Sequence, residues 1–217
     1  MGNLFINVLL SVLFGILIFI ILFRKSNLKV EEILISMITG LCAVYPAIFI
    51  IYLLSIKTGA ATGLFKTFID AFFIASLVEE ATKFLVIQIL FFIRKINNLR
   101  DGIATAVAVG TGFACLENIM YSLDASFVVM FRLFSAIPLH IITAGIIGYF
   151  SVKIIHSKKF SNVRGFGEAF LIHGLYNFLI SLKAFISFLA IPLLLLAGYR
   201  LYKLSQNADT TEKTDTN

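Results

Sequence analysis

The chain has 217 residues, of which 59% are hydrophobic, and its formal net charge is +6. The mean hydropathy of +0.98 is far above that of soluble domains, so the composition excludes that class and favours a membrane protein. The basic residues lie at the ends of apolar runs, as the positive-inside rule expects, so the net charge does not indicate a nucleic-acid partner. The two cysteines, Cys42 and Cys115, give neither a disulfide framework nor a zinc-binding spacing.

Seven apolar segments are long enough to cross a bilayer and predict an all-α, polytopic transmembrane helical bundle. In chain order they cover residues 4–23, 33–56, 68–92, 102–122, 128–152, 164–182 and 185–203. Residues 1–204 are therefore predicted to form one integral membrane domain. Residues 205–217 are polar, have nothing to bury and are predicted to be a disordered cytoplasmic tail.

The distribution of lysine and arginine predicts the orientation of the bundle. Thirteen of these residues flank the ends of segments one, three, five and seven, and only three flank the opposite ends. Because basic residues stay on the cytoplasmic side, the N-terminus is expected outside and the C-terminus in the cytoplasm.

The third segment carries three charges near its centre, Glu79, Glu80 and Lys83. On the insertion scale these residues cost about 9 kcal/mol, and the apolar residues of the segment return roughly 7 kcal/mol. The helix therefore needs polar partners on its neighbours. Lys83 is four residues from Glu79 and three from Glu80, so it can pair with either, and one carboxylate is left over. Ionisable residues inside a membrane commonly mark a functional site.

Further polar residues fall at membrane depth in segments four to six. Segment four contains Glu117 and Asn118, segment five Arg132 and His140, and segment six His173 and Asn177. The connection at 123–127 is so short that segments four and five must be antiparallel neighbours. Glu117 and Arg132 are then at similar depth and are predicted to form an ion pair or to line one hydrated cavity.

These residues suggest hydrolysis by activated water. A glutamate can take a proton from water, and imidazole or amide groups can stabilise a tetrahedral oxyanion. Neither a serine elbow nor a His-Glu-x-x-His zinc motif is present. Two alternatives stay open: a metalloprotease in which His140, His173 and Glu79 or Glu80 hold zinc, and a proton-coupled transporter that uses the same groups as a relay.

Four motifs together resemble the PrsW family of bacterial intramembrane proteases, which is related to the CAAX-prenyl protease and bacteriocin-processing superfamily. They are Glu79-Glu80-x-x-Lys83, Phe113-x-x-x-Glu117-Asn118, the mid-segment His140 and His173-Gly-x-Tyr-Asn177-Phe, and the similarity covers about residues 31–180. One departure is Asn177, where the family commonly has an acid.

The resemblance implies a multi-pass peptidase of the bacterial cell membrane. Its expected activity is site-1 cleavage of a single-span substrate, such as a membrane-anchored anti-sigma factor, on the extracytoplasmic side. It also implies that Glu79, Glu80, His140 and His173 are catalytic. Supporting roles are expected for Lys83, Glu117, Asn118, Arg132 and Asn177. No cofactor is required by this interpretation, although zinc remains the alternative.

Overall fold

The computed structural model describes residues 2–57, 62–121, 126–157, 161–182 and 184–215, and these residues contain helices and no strands. This confirms the all-α prediction for the described part of the chain. Most of the predicted connection at 123–127 lies outside these ranges.

The described helices follow one another with short connections. They are α1 (Gly2–Lys25), α2 (Val30–Lys57), α3 (Leu64–Ile69), a π-helical segment (Asp70–Ser76), α4 (Leu77–Arg94), α5 (Leu99–Tyr121), α6 (Ser126–Ser157), α7 (Ser161–Ser181), a 3₁₀ segment (Ala184–Leu189) and α8 (Ala190–Asp215). Because α3, the π-helical segment and α4 are contiguous, they form one long helix over residues 64–94. Each of the seven predicted segments therefore corresponds to a helix.

Five described stretches are long and apolar enough to span a membrane by length and composition: Val8–Lys25, Val30–Ile56, Leu99–Tyr121, Phe134–Lys153 and Phe185–Thr211. The protein is thus a multi-pass membrane protein. Helix 64–94 and α7 are less apolar because they carry ionisable residues, among them Glu79, Glu80 and His173. The count of seven spans and the outward N-terminus stay predictions.

Helix α5 is the centre of the bundle, with nearly every residue from Gly102 to Asn118 buried. Its glycines and alanines allow close approach on two sides. A Cβ on Gly110 would lie 2.5 Å from the backbone oxygen of His140 in α6, and one on Gly40 of α2 would overlap the carbonyl of Val109. Close packing therefore holds both α2 and α6 against α5.

Helices α1 and α8 lie at the periphery and expose large apolar side chains, including Phe5 on α1 and Leu195 on α8. Exposed apolar surface of this extent is expected where a protein faces lipid. Helix α8 continues to Asp215, over most of the segment that was predicted to be a disordered tail. The extension has a physical basis, because Leu204 and Ala208 are buried and Asp209 forms a salt bridge with Arg100 at 3.2 Å.

Candidate active site

Helix α4 carries three ionisable side chains into the interior of the bundle. Glu80 and Lys83 are fully buried, and Glu79 is 7% exposed. The π-helical segment ends at Ser76, directly before this helix, and the Ser76 hydroxyl donates to the backbone oxygen of Phe170 in α7 at 2.9 Å. This bond ties the start of α4 to α7. The glutamates consequently sit one turn from a fixed contact.

Glu80 is the centre of a polar network that joins α4, α6 and α7. Its Oε1 atom accepts a hydrogen bond from Lys83 at 2.6 Å, from the Thr143 hydroxyl at 3.1 Å and from His173 Nδ1 at 2.6 Å. Lys83 thus pairs with Glu80, which settles the choice that its spacing left open. Because a carboxylate oxygen only accepts, the proton of a neutral His173 is on Nδ1, and Nε2 keeps its lone pair.

His140 lies between Lys83 and Glu117. An ammonium group only donates, so His140 Nδ1 accepts from Lys83 at 3.1 Å. His140 Nε2 lies 2.7 Å from Glu117 Oε2. The angles of this contact are not those of a hydrogen bond, so Glu117 Oε2 is not counted as hydrogen-bonded. The rings of His140 and His173 meet edge to face with centroids 5.0 Å apart. The two predicted histidines are therefore brought together.

Glu79 is the least satisfied member of the cluster. Its Oε2 atom, like Oε2 of Glu80 and Glu117, is buried without a hydrogen-bond partner among the described residues, and it lies 3.6 Å from His173 Nε2. Glu79, His140 and His173 each offer one ligand atom, and these three atoms lie within 4.8 Å of one another. The three residues come from α4, α6 and α7.

Glu117 and Arg132 form the ion pair that the short connection between their helices predicted. Arg132 Nη2 lies 2.8 Å from Glu117 Oε1, and both side chains are largely buried. The Arg132 guanidinium also lies over the ring of Tyr121, 3.8 Å from its centroid. Through His140, this pair is connected to the rest of the cluster.

A cavity of about 300 Å³ adjoins the cluster between α2, α4 and α5. Glu79 and Glu117 are its charged lining residues. The remaining wall is largely apolar and is formed by Val44, Ala47, Ile48, Ile51, Phe113, Met120 and Tyr121. Of the two adjacent glutamates in α4, only Glu79 lines this space.

Two residues that were predicted to support the site are not bonded to the cluster. The Asn118 amide donates to the Ser11 hydroxyl of α1 at 2.8 Å, because the residue after Glu117 is turned by about 100° around the helix. The Asn177 side chain is half-buried, and no hydrogen bond within the described residues joins it to the histidines or glutamates. Its position lies one turn beyond His173.

The structure adds three residues that were not predicted to belong to the site, although two of them, Phe113 and Tyr176, are positions of the motifs. Thr143 contributes to the Glu80 network, and its spacing of three residues after His140 on one helix could have indicated a shared face. Phe113 packs against the cluster, with its ring centroid 5.4 Å from that of His140. Tyr176 shares a hydrogen bond with Ser135 at 2.7 Å, beside His173 on α7.

The residues present fit a divalent cation. A set of two histidines and one carboxylate is a common ligand set of catalytic zinc sites. Glu79 Oε2 is buried without a partner, and His173 Nε2 has a free lone pair when the ring is neutral. Glu80 accepts from the other nitrogen of His173, which is the usual way in which a ligating histidine is oriented.

Comparisons with known proteins agree with this site. Residues 29–199 match the model of the "PrsW family intramembrane metalloprotease". The chain is 32% identical over 204 residues to Protease PrsW of Oceanobacillus iheyensis, an alignment that covers 89% of this chain and 92% of the relative. It is 26% identical over 167 residues to Protease PrsW of Bacillus subtilis, covering 73% of each.

A third relative, Protease PrsW of Geobacillus kaustophilus, is 29% identical over 150 residues, which covers 66% of this chain and 64% of the relative. No solved structure gives a significant match. The matched region includes every ionisable residue of the buried cluster, and the suspected resemblance is confirmed. The chain belongs to the PrsW family of intramembrane metalloproteases and is a multi-pass membrane peptidase.

Proposed function

We propose that this protein is a metal-dependent endopeptidase that cleaves a single-span membrane protein, such as a membrane-anchored anti-sigma factor, on the extracytoplasmic side of the membrane. The observation that carries the proposal is the buried group of Glu79, His140 and His173 beside a cavity whose wall is largely apolar. Such a cavity suits the apolar side chains of a membrane-spanning substrate.

Glu79, His140 and His173 would hold the cation, with zinc as the expected metal. When bound, zinc supplies Lewis-acid polarisation of the scissile carbonyl and lowers the pKa of a bound water. Glu80 orients His173 by accepting its Nδ1 proton, and Lys83 holds Glu80 in place. Glu80 and Lys83 are thus positioning residues.

We assign the acceptance of the water proton to Glu79. Both Glu79 and Glu117 line the cavity, but Arg132 binds Glu117 at 2.8 Å and fixes its charge. Glu80 does not line the cavity, and its Oε1 atom already accepts three hydrogen bonds. A carboxylate has two oxygens, so Glu79 can contact a cation with one atom and receive a proton on the other.

The substrate segment would approach from the side of α2. The α2 part of the cavity lining consists of Val44, Ala47, Ile48 and Ile51, and the α5 part includes Glu117. A peptide that enters here reaches Glu79 without crossing the Glu80 network.

Coexpression with candidate single-span substrates tests the function. A substrate tagged at both ends should yield two shorter products with the wild-type protein, and Glu79→Gln should yield none. Glu168→Gln is a matched carboxylate-to-amide control, because Glu168 is on α7 and pairs with Arg164 and Arg200 away from the cluster. Cleavage that persists in Glu79→Gln would refute the proposed centre.

A further inference from the structure

A second cavity, of about 630 Å³, lies where α1 ends and α5 begins. It is lined by residues of α1, α5, α6 and α8 and by the connection after α1. It shares no lining residue with the cavity next to Glu79 and Glu117. It is therefore distinct from the proteolytic site.

The mouth of this cavity is basic. Arg24 and Lys25 at the end of α1 and Arg100 in the first turn of α5 line it, and Asp209 of α8 is the acidic lining residue. Arg100 and Asp209 form a salt bridge at 3.2 Å. Within the described residues, neither Arg24 nor Lys25 is paired with a carboxylate. The mouth thus keeps two uncompensated positive charges.

The inner part of the same cavity is apolar. On α5 the lining continues from Arg100 through Ile103 to Val107, two helical turns or about 10 Å from the mouth. Ile141 of α6 and Leu201 of α8 line the inner part as well. A free anion would gain nothing from this apolar wall, whereas an acyl chain would bury against it.

We propose that this cavity binds an anionic phospholipid. Its phosphate would contact the basic mouth formed by Arg24, Lys25 and Arg100, and one acyl chain would lie along Val107 and Ile141. Basic pockets between transmembrane helices on the cytoplasmic side are suited to anionic lipid headgroups. This end of the bundle is the one that the distribution of basic residues places in the cytoplasm. The inference does not depend on the peptidase mechanism.

Native mass spectrometry of the delipidated, detergent-solubilised full-length protein tests the proposal. Phosphatidylglycerol should bind saturably with one lipid per chain and raise the thermal unfolding temperature, and phosphatidylcholine with the same acyl chains should do neither. In Arg24→Gln/Lys25→Gln the affinity for phosphatidylglycerol should fall by about fivefold for each charge removed.

Lys153→Gln/Lys203→Gln is the matched control, since it removes two exposed charges whose residues do not line the cavity. This variant should bind phosphatidylglycerol like the wild type. The proposal would be overturned if the two lipids bound equally well. It would also be overturned if both double variants lost the same affinity for phosphatidylglycerol. Stabilisation by inorganic phosphate alone that matches the effect of the lipid would overturn it too, because the cavity would then be a plain anion site.

Discussion

At the scale of single residues, the adjacent glutamates of α4 have different surroundings. Both have a buried Oε2 atom without a hydrogen-bond partner among the described residues, but Glu80 accepts three hydrogen bonds on Oε1, whereas Glu79 lines the cavity. Their motif predicted that both glutamates are catalytic, but it could not assign a separate role to each. The partners that distinguish them, Thr143 and His173, lie 63 and 93 residues away in the chain. Such distant contacts depend on helix packing, which local spacing does not determine.

Amide substitutions should separate these two roles. Glu79→Gln and Glu80→Gln should each abolish substrate cleavage, but only Glu80→Gln should strongly destabilise the protein. Loss of the Glu80 charge leaves Lys83 buried without its ion-pair partner, which typically costs about 3–5 kcal/mol. Thermal unfolding of the purified variants checks the difference, with Glu168→Gln as the control. Wild-type turnover in both variants would exclude a glutamate-based mechanism.

The Glu117–Arg132 pair should be coupled in both stability and activity. Arg132→Leu leaves Glu117 buried and unpaired and should lower both, whereas Glu117→Gln/Arg132→Leu should recover part of the stability because no lone charge remains. A double-mutant cycle of thermal unfolding measures this coupling. An Arg132→Leu protein with full activity and unchanged thermal stability would show that the pair is dispensable.

At the scale of helices, small residues determine how closely the elements carrying the site approach one another. Gly110 of α5 contacts the backbone of His140, and Gly174 of α7 packs against the Phe72 ring. The glycine and alanine content of α5 is typical of a helix that packs closely in the middle of a bundle. The π-helical segment Asp70–Ser76 was not predicted, because its apolar residues fit an ordinary helix equally well. Segments of this kind are frequent near functional sites.

Enlarging Gly110 should therefore displace His140, which is proposed to hold the metal. In Gly110→Val the added carbons would collide with the His140 backbone and with Ala144, and overpacking of this kind costs about 1–3 kcal/mol. We expect a lower unfolding temperature and little cleavage. Gly167→Ala is the control, because a Cβ there meets nothing within 4 Å. If both variants lost comparable thermal stability and cleavage, the contact between Gly110 and the His140 backbone would have no specific role.

At the scale of the whole molecule, the composition predicted a membrane-embedded helical bundle, and the described residues confirm it. Five described stretches are apolar enough to be recognised as membrane spans. The helix over residues 64–94 and α7 are not among them because they carry polar residues of the site. The length of α8 was underestimated, since the polarity of 205–215 does not reveal that Leu204 and Ala208 pack against the bundle. Burial of a few side chains outweighed the polar composition there.

The predicted orientation can be tested with reporter fusions. Green fluorescent protein fused after Asn217 should fluoresce, and alkaline phosphatase at the same place should be inactive, because the basic ends of the helices keep this side in the cytoplasm. A fusion at the N-terminus should give the opposite pattern. Active phosphatase at the C-terminus would show that the topology is the opposite of the predicted one, and the proposed side of cleavage would then be wrong.

Glu79, His140 and His173 are proposed to form one metal-dependent centre for peptide hydrolysis, and measuring metal content together with cleavage tests whether they do. Purified wild-type protein should contain about one zinc ion per chain, lose cleavage of a single-span substrate on chelation and regain it when zinc is added back. His140→Ala and His173→Ala should lose both the metal and the activity, and Asn177→Ala should show a smaller loss of activity with the metal retained. Full cleavage by metal-free wild-type protein would show that peptide hydrolysis does not depend on a metal at Glu79, His140 and His173.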